Sequence, residues 1–130
     1  MIHREQAAKE VNDWLDHKKI SPRKREKYQD YIEILVDSIC EGYLIFNDDK
    51  SIKHKLKFPI EGEMSITELT FKPRLTVKNT SVHTQGVKAT DNNGIICAYI
   101  CALTSTAKEV IKGLDTEDYE IASSIGVFFL

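Results

Sequence analysis

The spacing of the apolar residues changes along the chain, and this change limits the folds that the chain can adopt. Between Tyr28 and Cys40 the apolar side chains recur at the spacing of one face of an α-helix. Between Ile52 and Ile60 four apolar residues and His54 occupy every second position, with lysines at most of the positions between them. Such alternation is typical of a strand with one buried and one solvated face. The two patterns occupy separate blocks, which predicts an α+β protein.

Two helices are predicted in the N-terminal part, residues 1–41. The first covers Arg4 to Lys18, where residues such as Val11 and Trp14 fall on one face. Ser21 then provides a helix N-cap, and Pro22 suits the first position of a second helix. Gly42 marks the end of that second helix.

A small antiparallel meander is predicted over residues 43–73. Its three strands are Tyr43 to Phe46, Ile52 to Ile60 and Thr67 to Phe71, and Pro73 stops the third. Polar turn residues separate the strands. A sheet of three strands must lay its apolar face on a helix, and we expect the C-terminal helices to pack there.

The C-terminal helices are predicted over residues 94–130, after a weakly patterned segment at 74–93. In that segment Val77 and Val82 would suit a short helix, whereas its glycines and asparagines favour a loop. The helical spacing returns after Gly94. A possible capping box, which pairs Thr106 with Glu109, then begins a short helix. Asp115 or Thr116 caps the last helix. A length of 130 residues fits a single domain.

Charge and cysteine content narrow the class of protein. The net charge of -2 comes from 18 basic and 20 acidic residues, so no overall field attracts nucleic acid or an acidic membrane. The longest apolar run, Ile95 to Leu103, is far shorter than the roughly 20 residues that span a bilayer. An odd number of cysteines, together with a charged segment Met1 to Glu10, predicts a cytoplasmic protein.

No catalytic, cofactor or metal motif is recognisable in the sequence. Cys97 and Cys101 would share one face of a helix, but zinc needs further ligands at matching spacing, so we interpret them as core thiols. His54 is interpreted as a partly buried structural histidine at the end of a strand, with a ligand or general base as the alternative. We therefore expect no enzyme, no cofactor and no metal.

One basic segment, Lys18 to Lys27, suggests nucleic-acid binding as an alternative function. It joins the two N-terminal helices, so the pair resembles a helix-turn-helix in outline. Cations at the start of the second helix oppose its dipole, which favours a solvated connector or a site for an acidic partner. The alternative function is a small nucleic-acid-binding regulator that uses this segment.

The chain from about Ile52 onward resembles the tail assembly chaperone family of Mu-like bacteriophages. An apolar-proline-apolar unit, Phe58-Pro59-Ile60, is followed by a strand that reads Ile66-Thr67-Glu68-Leu69. Later counterparts are the helix ending Leu103-Thr104 and the leucine-aspartate step Leu114-Asp115 into the last helix. The resemblance does not extend to the N-terminal helices, and residues 76–93 match it poorly.

This resemblance implies a binding protein without enzymatic activity. Members of the family bind the long tape measure protein, keep it soluble and help tail tube subunits to assemble around it. They act in the cytoplasm of the infected bacterium and are absent from the mature virion. An amphipathic helix of the tape measure protein would need an apolar groove. A homo-oligomer is possible.

The apolar C-terminal end suggests where a partner would bind. Val127 to Leu130 brings large apolar side chains together at the end of a helix. They would either fold back into the core or form an exposed apolar patch, which commonly marks a partner site. We expect the partner-facing arrangement; its residues would be Tyr99, Leu103, Ile125, Phe128, Phe129 and Leu130.

Overall fold

The computed structural model describes residues 2–130, which form an α+β fold as the sequence predicts. The N-terminal part holds three helices, the middle holds three strands, and the C-terminal part holds four helices and a closing 3-10 turn. The elements are α1 (Arg4–His17), α2 (Pro22–Lys27), α3 (Gln29–Cys40), β1 (Leu44–Phe46), β2 (Ile52–Ile60), β3 (Ile66–Phe71), α4 (Val77–Thr84), α5 (Asn92–Thr104), α6 (Lys108–Lys112), α7 (Thr116–Gly126) and the 3-10 turn (Val127–Phe129).

The strands form the predicted antiparallel meander in the order β1-β2-β3. His54 stands at its centre, opposite Leu44 on one side and Leu69 on the other. All three side chains are buried, because this face of the sheet lies against the helices. The core is one continuous cluster to which α1, α3, α5 and α7 all contribute.

The prediction of one continuous helix between Pro22 and Cys40 is wrong, because the structure has two helices there. Tyr28 leaves the helical conformation, with φ -107° and ψ 27°, and separates α2 from α3. The Ser21 hydroxyl caps α2 as predicted, since it accepts a hydrogen bond from the Lys24 N–H at 3.2 Å. The Tyr28 ring lies against Phe128, with ring centroids 5.7 Å apart. A long-range contact therefore accompanies the break.

The alternation predicted for β2 also fails near its end. Phe58 was expected on the buried face, yet 54% of it is exposed. The pairing of β2 with β3 shifts register between Lys55 and Ile60. Pro59, which has no N–H to donate, lies within this irregular stretch. An irregular register changes the face to which the following side chains point.

A buried carboxylate takes the place of a strand partner in this stretch. The side chain of Asp118, in the first turn of α7, is wholly buried. Its Oδ1 accepts a hydrogen bond from the Lys57 N–H at 2.8 Å, and its Oδ2 accepts one from the Phe58 N–H at 3.0 Å. A buried carboxylate is tolerated only where such donors surround it. Asp118 therefore fastens the start of α7 to the end of β2.

Two local predictions in the C-terminal half need correction. A helix does form within residues 74–93, but Val77 and Val82 do not anchor it, because they are 85% and 67% exposed. Thr80 is its buried residue instead. The capping box predicted at Thr106 is absent, since α6 begins after Ala107 without a side-chain cap. By contrast, Asp115 caps α7 as expected.

His54 is more deeply buried than the sequence suggested, and it lies within β2 and not at its end. It is inaccessible to solvent, and neither ring nitrogen has a hydrogen-bond partner within residues 2–130. Its Nε2 lies 3.3 Å from Asp118 Oδ1 without forming a hydrogen bond. Burial lowers the pKa of His54, and Lys57 adds to the effect, while Asp118 opposes it.

We predict that Asp118→Ala lowers the free energy of unfolding by about 3 kcal/mol, because two amide groups lose their acceptor. Urea denaturation measures the change. Asp115→Ala is the matched control in the same helix, where loss of an exposed cap should cost about 1 kcal/mol. Equal losses in the two variants would contradict the role assigned to Asp118.

We predict a second, pH-dependent effect at His54. Below about pH 6.5 the unfolded chain takes up a proton at this residue while the folded chain resists it. The free energy of unfolding should therefore fall as the pH drops from about 6.5 toward the lowered folded pKa. His54→Phe should remove this contribution, whereas His17→Gln at an exposed site should retain it. Urea denaturation between pH 7.5 and 5 gives the slope of the free energy of unfolding against pH. A slope in His54→Phe equal to that of the parent would contradict this account.

Candidate partner-binding surface

The residues predicted to face a partner are divided between the core and the surface. Leu103 and Ile125 are fully buried, and Phe128 is 2% exposed. This corrects the expectation that they lie at the surface of the folded chain. Tyr99 and Phe129 are half-buried, and Leu130 is 45% exposed. Only these three are accessible to a partner.

Phe128 is buried because two aromatic residues from the N-terminal part cover it. Its ring packs edge-on against Trp14 and Tyr28, with centroid separations of 5.8 and 5.7 Å. Phe129 lies beside the same indole at 6.1 Å. The C-terminal end therefore folds back into the core. The sequence allowed this arrangement, although we expected the partner-facing one.

Much of the basic segment between α1 and α3 is engaged within the chain. The ammonium group of Lys18 lies 3.3 Å from the centroid of the Phe129 ring. Burial, with help from Arg74 and Lys24, lowers its pKa to about 8. Lys24 donates to the main-chain oxygen of Leu130 at 2.8 Å, and Arg25 pairs with Asp16 at the same distance.

A more promising surface runs along α5, between α4 and α6. Three adjoining depressions follow this helix, and they share His83 at one junction and Cys97 with Lys108 at the next. We call these three adjoining depressions together the α5 trough. It extends from Gly94 to Ser105, which is about 16 Å at 1.5 Å per residue.

Small side chains from one face of α5 line the α5 trough. They recur at intervals of three or four residues, so they form a stripe along the helix. Larger residues such as Val82 from α4 and Ile111 from α6 form its sides, and Tyr119 of α7 stands near its far end. The small residues of the stripe are Gly94, Cys97, Ala98, Cys101, Ala102 and, just past the end of α5, Ser105. Ala98, Cys101 and Ala102 are at most 5% exposed, so Gly94, Cys97 and Ser105 are the accessible ones.

The rim of the α5 trough is positively charged. Lys72, Lys78, Lys108 and Lys112 line it, and Asp91 is the one acidic residue among its lining. Within the described residues, none of these four lysines pairs with a carboxylate. A positive rim around an apolar floor favours a partner that carries acidic residues beside an apolar face.

Cys101 of the α5 trough is a poor candidate for reactive chemistry. Burial raises the pKa of Cys101 to about 11, and the neighbouring Cys97 thiol adds to this. Its thiol is therefore protonated at neutral pH, whereas nucleophiles and metal ligands are thiolates. Across residues 2–130, no three potential ligands from His, Cys, Asp and Glu lie close enough to hold a metal ion.

Comparisons leave the family open. No known protein family matches the chain, and searches of curated proteins and of solved structures find no match. The resemblance to tail assembly chaperones stays a prediction. No helix among the described residues has both the length and the apolar character needed to cross a bilayer.

We predict that Phe128→Ala lowers the free energy of unfolding by about 3 kcal/mol, because it leaves a cavity beside Trp14. Leu130→Ala is the matched control at the exposed end of the same segment and should change stability by less than about 0.5 kcal/mol. Urea denaturation of the two variants separates them. If Phe128→Ala proves as stable as Leu130→Ala, the C-terminal end does not fold back as described.

Proposed function

We propose that this chain is a protein-binding chaperone that holds an amphipathic helix of its partner in the α5 trough. The observation that carries the proposal is the combination of a small-residue floor with four lysines that have no acidic partner among residues 2–130. Neither feature alone would distinguish a docking groove from an ordinary helix packing defect. Together they match the apolar face and the charged margins of one amphipathic helix.

The dimensions of the α5 trough suit a short helical segment. A length of about 16 Å corresponds to about three turns of helix. Gly94, Cys97 and Ser105 are the accessible small residues of the floor, and the partner's larger apolar side chains at positions i, i+3 or i+4 and i+7 would pack over them. Acidic residues on the flanks of that helix would face Lys78 on one side and Lys108 on the other.

The resemblance to phage tail assembly chaperones supplies a candidate partner. Tape measure proteins are long and largely helical, and they need protection before tail tube subunits assemble around them. The proposed role is therefore to shelter helical segments of the tape measure protein in the bacterial cytoplasm. This role needs no cofactor and no catalytic group.

Nucleic-acid binding through Lys18 to Lys27 is the alternative class. Lys19, Arg23 and Lys27 of that segment are exposed, which keeps a phosphate contact open. Fewer cations are free to contact nucleic-acid phosphates, because contacts within the chain already engage Lys18, Lys24 and Arg25. The α5 trough supports the first proposal more strongly.

We predict that reversing the rim charge weakens binding to the tape measure protein encoded by the same phage or prophage. Lys78→Glu combined with Lys108→Glu should raise the dissociation constant at least about tenfold, because acidic flanks would then meet carboxylates. Calorimetry with helical fragments of the tape measure protein measures the effect. Added salt should weaken binding by the parent chain.

The matched control reverses two charges elsewhere on the surface. Arg23→Glu combined with Lys27→Glu changes the net charge by the same amount but lies in the basic segment. It should bind the fragments like the parent and melt at a similar temperature. If this control loses binding while the rim variant keeps it, the α5 trough is not the site. If the parent and the rim variant bind DNA in a salt-dependent way and the control variant does not, the nucleic-acid alternative is favoured.

A further inference from the structure

The hairpin formed by β2 and β3 extends beyond β1. The pairing of β1 with β2 ends at His54, so the later part of β2 has β3 alone as its strand neighbour. Ile60 and Ile66 pair with each other and pack against the core, which fixes the base of this extension. Residues 61–65, which join the two strands, are all exposed. We call residues 58–65 the hairpin tip.

The hairpin tip combines exposed apolar side chains with unpaired acidic ones. Phe58 is 54% exposed and Met64 is 85% exposed. Glu61 and Glu63 lie between them in the sequence, and residues 58–65 contain no basic side chain. Neither glutamate forms an ion pair with any residue from 2 to 130. Exposed apolar side chains grouped in this way are typical of a protein contact, and the two negative charges favour a basic partner surface.

The α5 trough of the same chain carries the complementary features. Its rim holds four lysines that pair with no carboxylate among residues 2–130, and Val82 on its side is 67% exposed. The basic segment Lys18 to Lys27 is less suitable, because contacts within the chain already engage three of its cations. No residue of the hairpin tip lines the α5 trough of its own chain. The two surfaces can therefore meet between two copies of the chain.

The hairpin tip also has a width that suits the α5 trough. The two backbones of a hairpin lie about 5 Å apart, and the backbone of a helix forms a cylinder about 4.6 Å across. A groove that admits a helix between lysine-bearing walls therefore admits a two-stranded hairpin in the same place. Both ligands would bring apolar side chains to the floor and carboxylates to the rim.

We propose that the hairpin tip of one copy docks in the α5 trough of a second copy, where Glu61 and Glu63 face rim lysines such as Lys78 and Lys108. The proposal rests on the proposed function, because it uses the α5 trough as a docking groove. Self-association covers the trough until an acidic amphipathic helix of the partner displaces the hairpin tip. The contact is small, so its dissociation constant is on the order of 10–100 µM.

Sedimentation velocity over a range of protein concentrations measures this self-association. Glu61→Lys combined with Glu63→Lys, the tip variant, should raise the dissociation constant at least about tenfold, because lysines would then face lysines. Glu5→Lys combined with Glu26→Lys changes the net charge equally at exposed sites and should associate like the parent. Met64→Gln leaves the charge unchanged and should weaken association at least about threefold, since it removes an apolar contact. Circular dichroism confirms that each variant is folded.

A mixture of two variants shows which surfaces meet. The tip variant keeps the lysine rim, whereas Lys78→Glu combined with Lys108→Glu, the rim variant, keeps the acidic tip. Each alone should stay monomeric at concentrations where the parent associates. An equimolar mixture should form a complex, because the acidic tip of one variant meets the lysine rim of the other. A chain that carries all four substitutions should associate again.

Three results would each overturn this proposal. They are a parent chain that stays monomeric up to about 1 mM, at least tenfold above the expected dissociation constant, a tip variant that associates like the parent, and a mixture of the tip and rim variants that forms no complex. Loss of association in the Arg23→Glu and Lys27→Glu control would assign the contact to the basic segment and also contradict the proposal.

Binding to helical fragments of the tape measure protein separates this proposal from the proposed function. The tip variant should bind the fragments at least as tightly as the parent, because no hairpin tip competes for its α5 trough. Excess fragment should dissociate the complexes of the parent. If the tip variant binds the fragments but still self-associates, self-docking is wrong and the proposed function stands. If the rim variant binds the fragments and self-associates like the parent, both are wrong.

Discussion

The carboxylate of Asp118 fastens α7 to the sheet, and the packing of the C-terminal helices on the sheet depends in part on it. It accepts the N–H groups of Lys57 and Phe58 where β2 has run past the end of β1. A buried charge is stable only when such donors surround it, so the bond dictates where α7 begins. The α5 helix packs against both α7 and β3, so the α5 trough lies beside the helix that Asp118 fastens.

Local patterns in the sequence were enough to predict the class of fold. Helical spacing and strand alternation are properties of neighbouring residues, and they correctly predicted an α+β protein with a three-stranded meander. The failures arise where distant residues decide the local structure. Phe58 turns outward in a stretch whose amides are held by a carboxylate 60 positions away. Tyr28 breaks a helix while its ring packs on Phe128.

The proposed binding surface was harder to predict than the fold, for a related reason. Large apolar residues such as Phe128 attract attention in a sequence, but Trp14 and Tyr28 cover this one in the folded chain. The α5 trough has the opposite character, because small residues create it by leaving space. Its sequence signal is the repeat of Gly94, Cys97, Cys101 and Ser105 at helical spacing. The interpretation of the two cysteines as core thiols is confirmed for Cys101, which lies in the core, while Cys97 packs against the core and is half-buried.

The most direct test of the account is to map where a helical partner touches the chain. Amide resonances of the isotope-labelled protein would be followed while an amphipathic peptide with acidic flanks, taken from the tape measure protein, is added. The account predicts that the largest shifts fall on Gly94 to Ser105 and on the rim lysines Lys78 and Lys108. Shifts confined to Lys18 to Lys27, or to the outer face of the sheet, would contradict it.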